Sequence, residues 1–148
     1  MCYRWGNDIT KDMALAVKWL RKAAGQGNVL AQNNLGVLYS SGDGVAKDKK
    51  EAMKWWHKAA EQGNAVAQCN LGSFYAIGDG VPQNTAEAMK WWHKAAEQGL
   101  AHAQYNIGVC YYCGVGVAKD VAEAVRWLRM AADQGYEDAK KTLGRIQG

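Results

Sequence analysis

The chain has 148 residues, 49% of them hydrophobic, with one Pro, seven Trp and a net charge of +4. Disordered chains are poor in aromatics and usually rich in Pro, so this composition excludes them. No apolar run approaches the roughly 18 residues of a membrane span, no basic-then-apolar signal segment opens the chain, and so modest a charge selects no partner class.

The elements recur with a period of 36 residues, the spacing of Trp19 and Trp55. Self-similarity at such a period marks stacked supersecondary units in place of one globular core. Residues 1–27 read as a partial first repeat. Tyr3 and Gly6 align with Tyr39 and Gly42, so residues 1–6 are expected to be the last turn of a first helix, followed by a second helix over 12–25. Full repeats follow at 28–63, 64–99 and 100–135, and 136–148 reads as a C-terminal capping helix made polar by Glu137, Asp138, Lys140, Lys141 and Arg145. The whole is expected to be a single solenoid domain.

Within a repeat, positions 31, 32, 35, 36 and 39 fall on one stripe of a helix. The same phrase returns as Ala67-Gln68, Leu71-Gly72, Tyr75 and as Ala103-Gln104, Ile107-Gly108, Tyr111. Paired glycines at 42 and 44, 78 and 80, and 114 and 116 then mark interhelix loops, because they supply backbone conformations closed to other residues. Asp48 with Glu51, Asn84 with Glu87 and Asp120 with Glu123 predict capping boxes at the start of each second helix. Each second helix carries Trp and Ala-Ala on its apolar face and stops at Gly27, Gly63, Gly99 or Gly135. Trp19, Trp55, Trp91 and Trp127 are expected in the core, with Gly36, Gly72 and Gly108 opposite them to allow close approach.

These phrases, Ala-x-Ala-Gln-x-x-Leu-Gly-x-x-Tyr, Gly-x-Gly-Val and Ala-Ala-x-Gln-Gly, are similar to the Sel1-like repeat, a relative of the tetratricopeptide repeat. The resemblance spans three full units over 28–135 and weakens at both ends. It implies an all-α, right-handed α-solenoid of antiparallel helix pairs, about eight helices in all, with first helices lining a concave groove. It further implies an adaptor, scaffold or virulence-associated binding protein in place of an enzyme.

Function is expected where the repeats disagree. The first-helix row 30, 33, 37, 40 varies from unit to unit and shares one helix face, which the resemblance places in the groove. Its richest members, His102, Tyr105, Val109 and Tyr112, are the expected partner-binding patch, extended by Asn33, Val37 and Ser73, since Tyr offers a large rigid contact area. The competing reading is that these side chains pack between neighbouring units.

A basic row on the second helices, Lys18, Lys54, Lys90 and Arg126 with Arg21, His57, His93 and Arg129, could track phosphates. With Glu51, Glu61, Glu87 and Glu97 among it, it reads better as a solvated convex face. Cys2, Cys69, Cys110 and Cys113 show no repeated pairing. One C-x-x-C, at the C-terminal end of its helix, suits neither zinc nor a low-pKa redox pair. No nucleophile elbow or phosphate cradle is present.

The sequence therefore points to a non-enzymatic module that binds a protein or peptide in its groove, without cofactor or metal, nucleic acid or membrane insertion. Self-association through the incomplete N-terminal edge is a further expectation. The alternative is an immunity or inhibitor-type protein that blocks one partner enzyme. The compartment is expected to be cytoplasmic if the chain is complete, and periplasmic or secreted if an upstream signal segment was removed.

Overall fold

A computed structural model describes residues 2–148, with side chains from Asp12 onward. Its elements are α1 (Cys2–Gly25), α2 (Val29–Ser41), α3 (Lys49–Glu61), α4 (Ala65–Ile77), α5 (Thr85–Glu97), α6 (Ala101–Cys113), α7 (Val121–Asp133) and α8 (Glu137–Gln147). There is no strand among the described residues, and the expectation of an all-α chain of about eight helices holds. Two compact units are formed, Met1–Ala67 and Gln68–Gly148, with the boundary inside α4.

The loops fold as their glycines dictate. Gly42, Gly44, Gly78, Gly80, Gly114 and Gly116 all have φ between 71° and 81°, a region costly for any residue with a Cβ. Each loop is closed by the N–H of the next helix's N-cap, which donates to the carbonyl of the repeated tyrosine: Asp48 to Tyr39, Asn84 to Tyr75 and Asp120 to Tyr111, each 2.9 Å.

That closure corrects one detail of the expected capping boxes. Asp48, Asn84 and Asp120 do accept from the Glu51, Glu87 and Glu123 N–H groups at 3.1 Å. The N-cap N–H, which a reciprocal carboxylate would serve, is already taken by the tyrosine carbonyl. Glu51 and Glu123 turn instead to Lys54 at 3.9 Å and Arg126 at 2.8 Å.

A second correction concerns the first helix. The sequence expectation ends a helix at residues 1–6, yet α1 runs unbroken from Cys2 to Gly25. The aligned segment Gly6-Asn7-Asp8-Ile9 has Asp8 where the true loops have their second glycine. Without that residue the left-handed step is unfavourable, whereas one Gly inside a helix costs only about 1 kcal/mol. The expected side-chain phasing of Tyr3 and Gly6 lies outside the described side chains.

The cores place the tryptophans unequally. In the first unit, Val17, Ala24, Ala31 and Leu35 are buried, with Trp55 and Leu38 packed against them. In the second unit Trp91 and Trp127 are 7% and 8% exposed, and Trp127 meets the His93 ring edge-on at 5.4 Å. Trp19, expected in the core, is 60% exposed. Trp127 is covered by a side chain of the second helix one repeat earlier, and Trp19 has no such cover among the described residues. The repeated glycines are also met by the following residue: a methyl group at Gly36 or Gly72 would strike the Trp56 or Trp92 indole, and at Gly108 the Leu128 side chain.

Buried glutamines knit each repeat. The Gln62 side-chain amide donates to Gln32 at 2.8 Å, and Gln98 to Gln68 and Gln134 to Gln104 at 2.9 Å. Gln32 and Gln104 in turn donate to the Ala24 and Ala96 carbonyls. The Gln of the helix phrase and the Gln of the tail phrase recur together because they bond to each other.

Candidate functional site

The second unit holds five of the seven expected contact residues. His102 and Tyr105 lie one turn apart on α6, and both converge on Tyr136, the residue that precedes α8. The His102 Nδ1 and the Tyr136 hydroxyl are 2.8 Å apart, and the two rings meet edge-on at 5.8 Å. Tyr105 and Tyr136 approach to 5.2 Å with a 41° tilt. Burial, then the neighbouring Asp138, Tyr105 and Cys69, holds the Tyr136 phenol above the ordinary tyrosine range, so it stays protonated. When that hydroxyl is the donor, the imidazole proton sits on Nε2.

Val109 is half-buried, one turn on from Tyr105. Tyr112, near the C-terminal end of α6, is 39% exposed, with the Lys119 ammonium 5.9 Å from its ring centre. It therefore stands apart from the His102, Tyr105 and Tyr136 cluster. Ser73 returns its hydroxyl to the Cys69 carbonyl at 3.1 Å, which spends its donor within α4.

The first unit carries the other two. Val37 is 45% exposed on α2. Asn33 is partly buried, and its Oδ1 has no hydrogen-bond donor within reach. Such an orphaned acceptor costs free energy unless something outside the chain satisfies it.

Two features escaped the sequence reading. Tyr136 belongs to the site although it sits outside the helix row; positions 28, 64, 100 and 136 carry Asn, Asn, Leu and Tyr, so the search for non-recurring positions would have found it had it extended past the helix end. The second is a cavity of about 550 Å³ in the first unit, lined by α1, the 42–48 loop and the start of α3. It depends on contacts between elements that no sequence period reveals.

The basic row behaves as a solvated face. Lys54 and Arg126 pair with carboxylates one turn away, and His93 packs on Trp127. Lys58 and Lys94 each lie 4.7 Å from the ring centres of Trp55 and Trp91. Among the described cysteines, Cys69, Cys110 and Cys113 are free thiols. Among the described residues no helix is long and apolar enough to cross a membrane.

The family model of the Sel1 repeat matches residues 1–28, 29–64, 65–100 and 101–136, and the chain belongs to that family. Among curated proteins none matches it. Among solved structures it is similar to a protective antigen of uropathogenic Escherichia coli strains, with 41% identity and a TM-score of 0.90 over 92% of this chain. This chain spans only 29% of that antigen. A Sel1 repeat protein from Oxalobacter formigenes is also 41% identical, with a TM-score of 0.80 over 88% of this chain and 98% of its own. Cysteine rich protein B of Helicobacter pylori shares the fold at 24% identity, with a TM-score of 0.71 over 91% of this chain and 97% of its own. Sel1 repeats are in general protein–protein interaction modules, scaffolds and not enzymes.

Proposed function

We propose that this chain is a non-enzymatic adaptor that holds a protein or peptide partner on the first-helix face of its second unit. The partner meets Tyr105, Val109 and Tyr112, with His102 and Ser73 at the margin; Val37 and Asn33 present the corresponding face of the first unit. The observation that carries this reading is the convergence of His102 and Tyr105 on Tyr136, which holds three aromatic side chains in place before any partner arrives. Rings ordered in advance lose little rotamer freedom on association, so more of the contact energy appears as affinity. The E. coli relative is described as a protective antigen, which supports a host-facing setting for a chain of this kind.

The test is affinity capture followed by mass spectrometry, comparing the parent with Val109→Arg and Tyr112→Ala, and with Lys54→Ala and Lys90→Ala as the opposing pair. The α6 variants are expected to lose the captured partner while the lysine variants keep it. Loss in the lysine variants alone would move the site to the second-helix face and overturn the proposal.

A further inference from the structure

The cavity of the first unit has a wall and a charged rim. Val17 of α1 and Val45 of the loop line its apolar side, and Arg21, Tyr39, Lys47 and Glu51 surround them. Its volume of about 550 Å³ lies within the range of small-molecule and side-chain pockets. The aligned position to Val17 is Met in the two following second helices, Met53 and Met89, and Val again in α7, Val125. Valine is shorter than methionine, and Val17 itself is 4% exposed. The aligned loop also packs closer in the second unit: a methyl group on Gly116 would come within 2.9 Å of Thr85, whereas on Gly44 it would stay 3.4 Å from Met13 and Val17.

Arg21 is fixed in advance. Its Nε and Nη2 donate to the Tyr39 hydroxyl oxygen at 3.2 and 2.8 Å, and its guanidinium lies 5.8 Å from the Tyr39 ring centre. Since that oxygen accepts from Arg21, the phenolic hydrogen is left to donate elsewhere, beside the unused N–H groups of the guanidinium. Both kinds of donor border the cavity. Of the aligned second-helix residues, His57 and His93 carry no such fork, and Arg129 has Gln147 at the position that corresponds to Tyr39.

The rim carries two cations, Arg21 and Lys47, and two carboxylates, Asp48 and Glu51, but the carboxylates are turned to partners at the start of α3. Asp48 is occupied by the Lys50 and Glu51 N–H groups at the start of α3, and Glu51 faces Lys54 at 3.9 Å. Among the described residues neither Arg21 nor Lys47 has a carboxylate within 4.0 Å.

We propose that this cavity binds an apolar carboxylate, its aliphatic or ring portion against Val17 and Val45 and its carboxylate on Arg21 and the Tyr39 hydroxyl. Two sources share that chemistry: the C-terminal residue of a peptide and a free small carboxylic acid. The site is separate from the α6 face, and either can fail without the other.

The test is isothermal calorimetry of the full chain against hexapeptides varied at the last two residues, each made as the free acid and as the C-terminal amide, with N-acetyl-leucine as the small-acid arm. The best acids are expected to bind about tenfold or more tightly than their amides. Arg21→Gln removes that preference. Val17→Met, which installs the residue found in α3 and α5, weakens the acids by about tenfold or more while far-UV circular dichroism stays helical. Val109→Arg leaves acid binding unchanged. If peptide acids outrank N-acetyl-leucine the occupant is a chain terminus, and if not it is a free acid. Equal binding of acids and amides overturns the proposal, as does an acid preference that survives Arg21→Gln, undiminished binding by Val17→Met, or no binding by any member at millimolar concentration.

Discussion

Gln32, Gln68 and Gln104 are buried amides in a core otherwise built from apolar side chains. A buried amide is tolerable only when hydrogen-bonded, and each of these accepts from the Gln of the following tail. Gln104 also donates to the Ala96 carbonyl at the end of α5, which accepts from the Gly99 N–H as well. Gln104→Leu is therefore expected to lower stability by about 1–3 kcal/mol in urea unfolding, even though leucine is the more apolar residue. The thiols differ in the same local way. Burial pushes the Cys69 thiol up to about 11 and raises that of Cys110, where the nearby Cys113 adds to the effect. Among the three described thiols, iodoacetamide at pH 8 is expected to label the exposed Cys113 first and Cys69 only on unfolding, read by peptide mass spectrometry. Because Cys69 keeps its proton longer when folded, its contribution to stability is complete below pH 9 and falls away as pH rises toward 11.

Each helix pair depends on close contact between a glycine and a large side chain. Gly72 sits against the Trp92 indole with no room for a methyl group, so Gly72→Ala is expected to cost about 1–3 kcal/mol despite alanine's better helix propensity. The repeated tryptophans separate by neighbour and not by sequence. Trp91→Ala removes a side chain only 7% exposed and is expected to cost about 3–5 kcal/mol. Trp19→Ala, at the same repeat position but 60% exposed, is expected to cost under about 1 kcal/mol in the same denaturation experiment. Helix periods and caps were legible in the residues because they depend on neighbours three or four positions away. The continuity of α1 was not, since tyrosine and glycine keep the repeat's phase there while Asp8 withholds the second left-handed residue.

Solenoids draw their stability from each unit and its neighbours and lack a single shared core. Their opening is accordingly local. Trp92→Ala is expected to lower amide exchange protection in α5, α6 and α7 by more than in α1 and α2, where the separate Val17, Ala24, Ala31 and Leu35 cluster remains intact. Equal loss across all helices would show instead that the chain unfolds as one cooperative body.

By itself the sequence determined the repeat, its helices, their caps and the glycine loops, because each of these is set by a few residues acting on their own backbone. It also marked His102, Tyr105 and Tyr112 as departures from the pattern. Only the tertiary structure decided that Tyr136 joins His102 and Tyr105 while Tyr112 stands apart, that Trp19 lies open, and that Val17 and Arg21 border a cavity. Those outcomes turn on contacts between residues distant in the chain, whose distances follow from packing and leave no period to read.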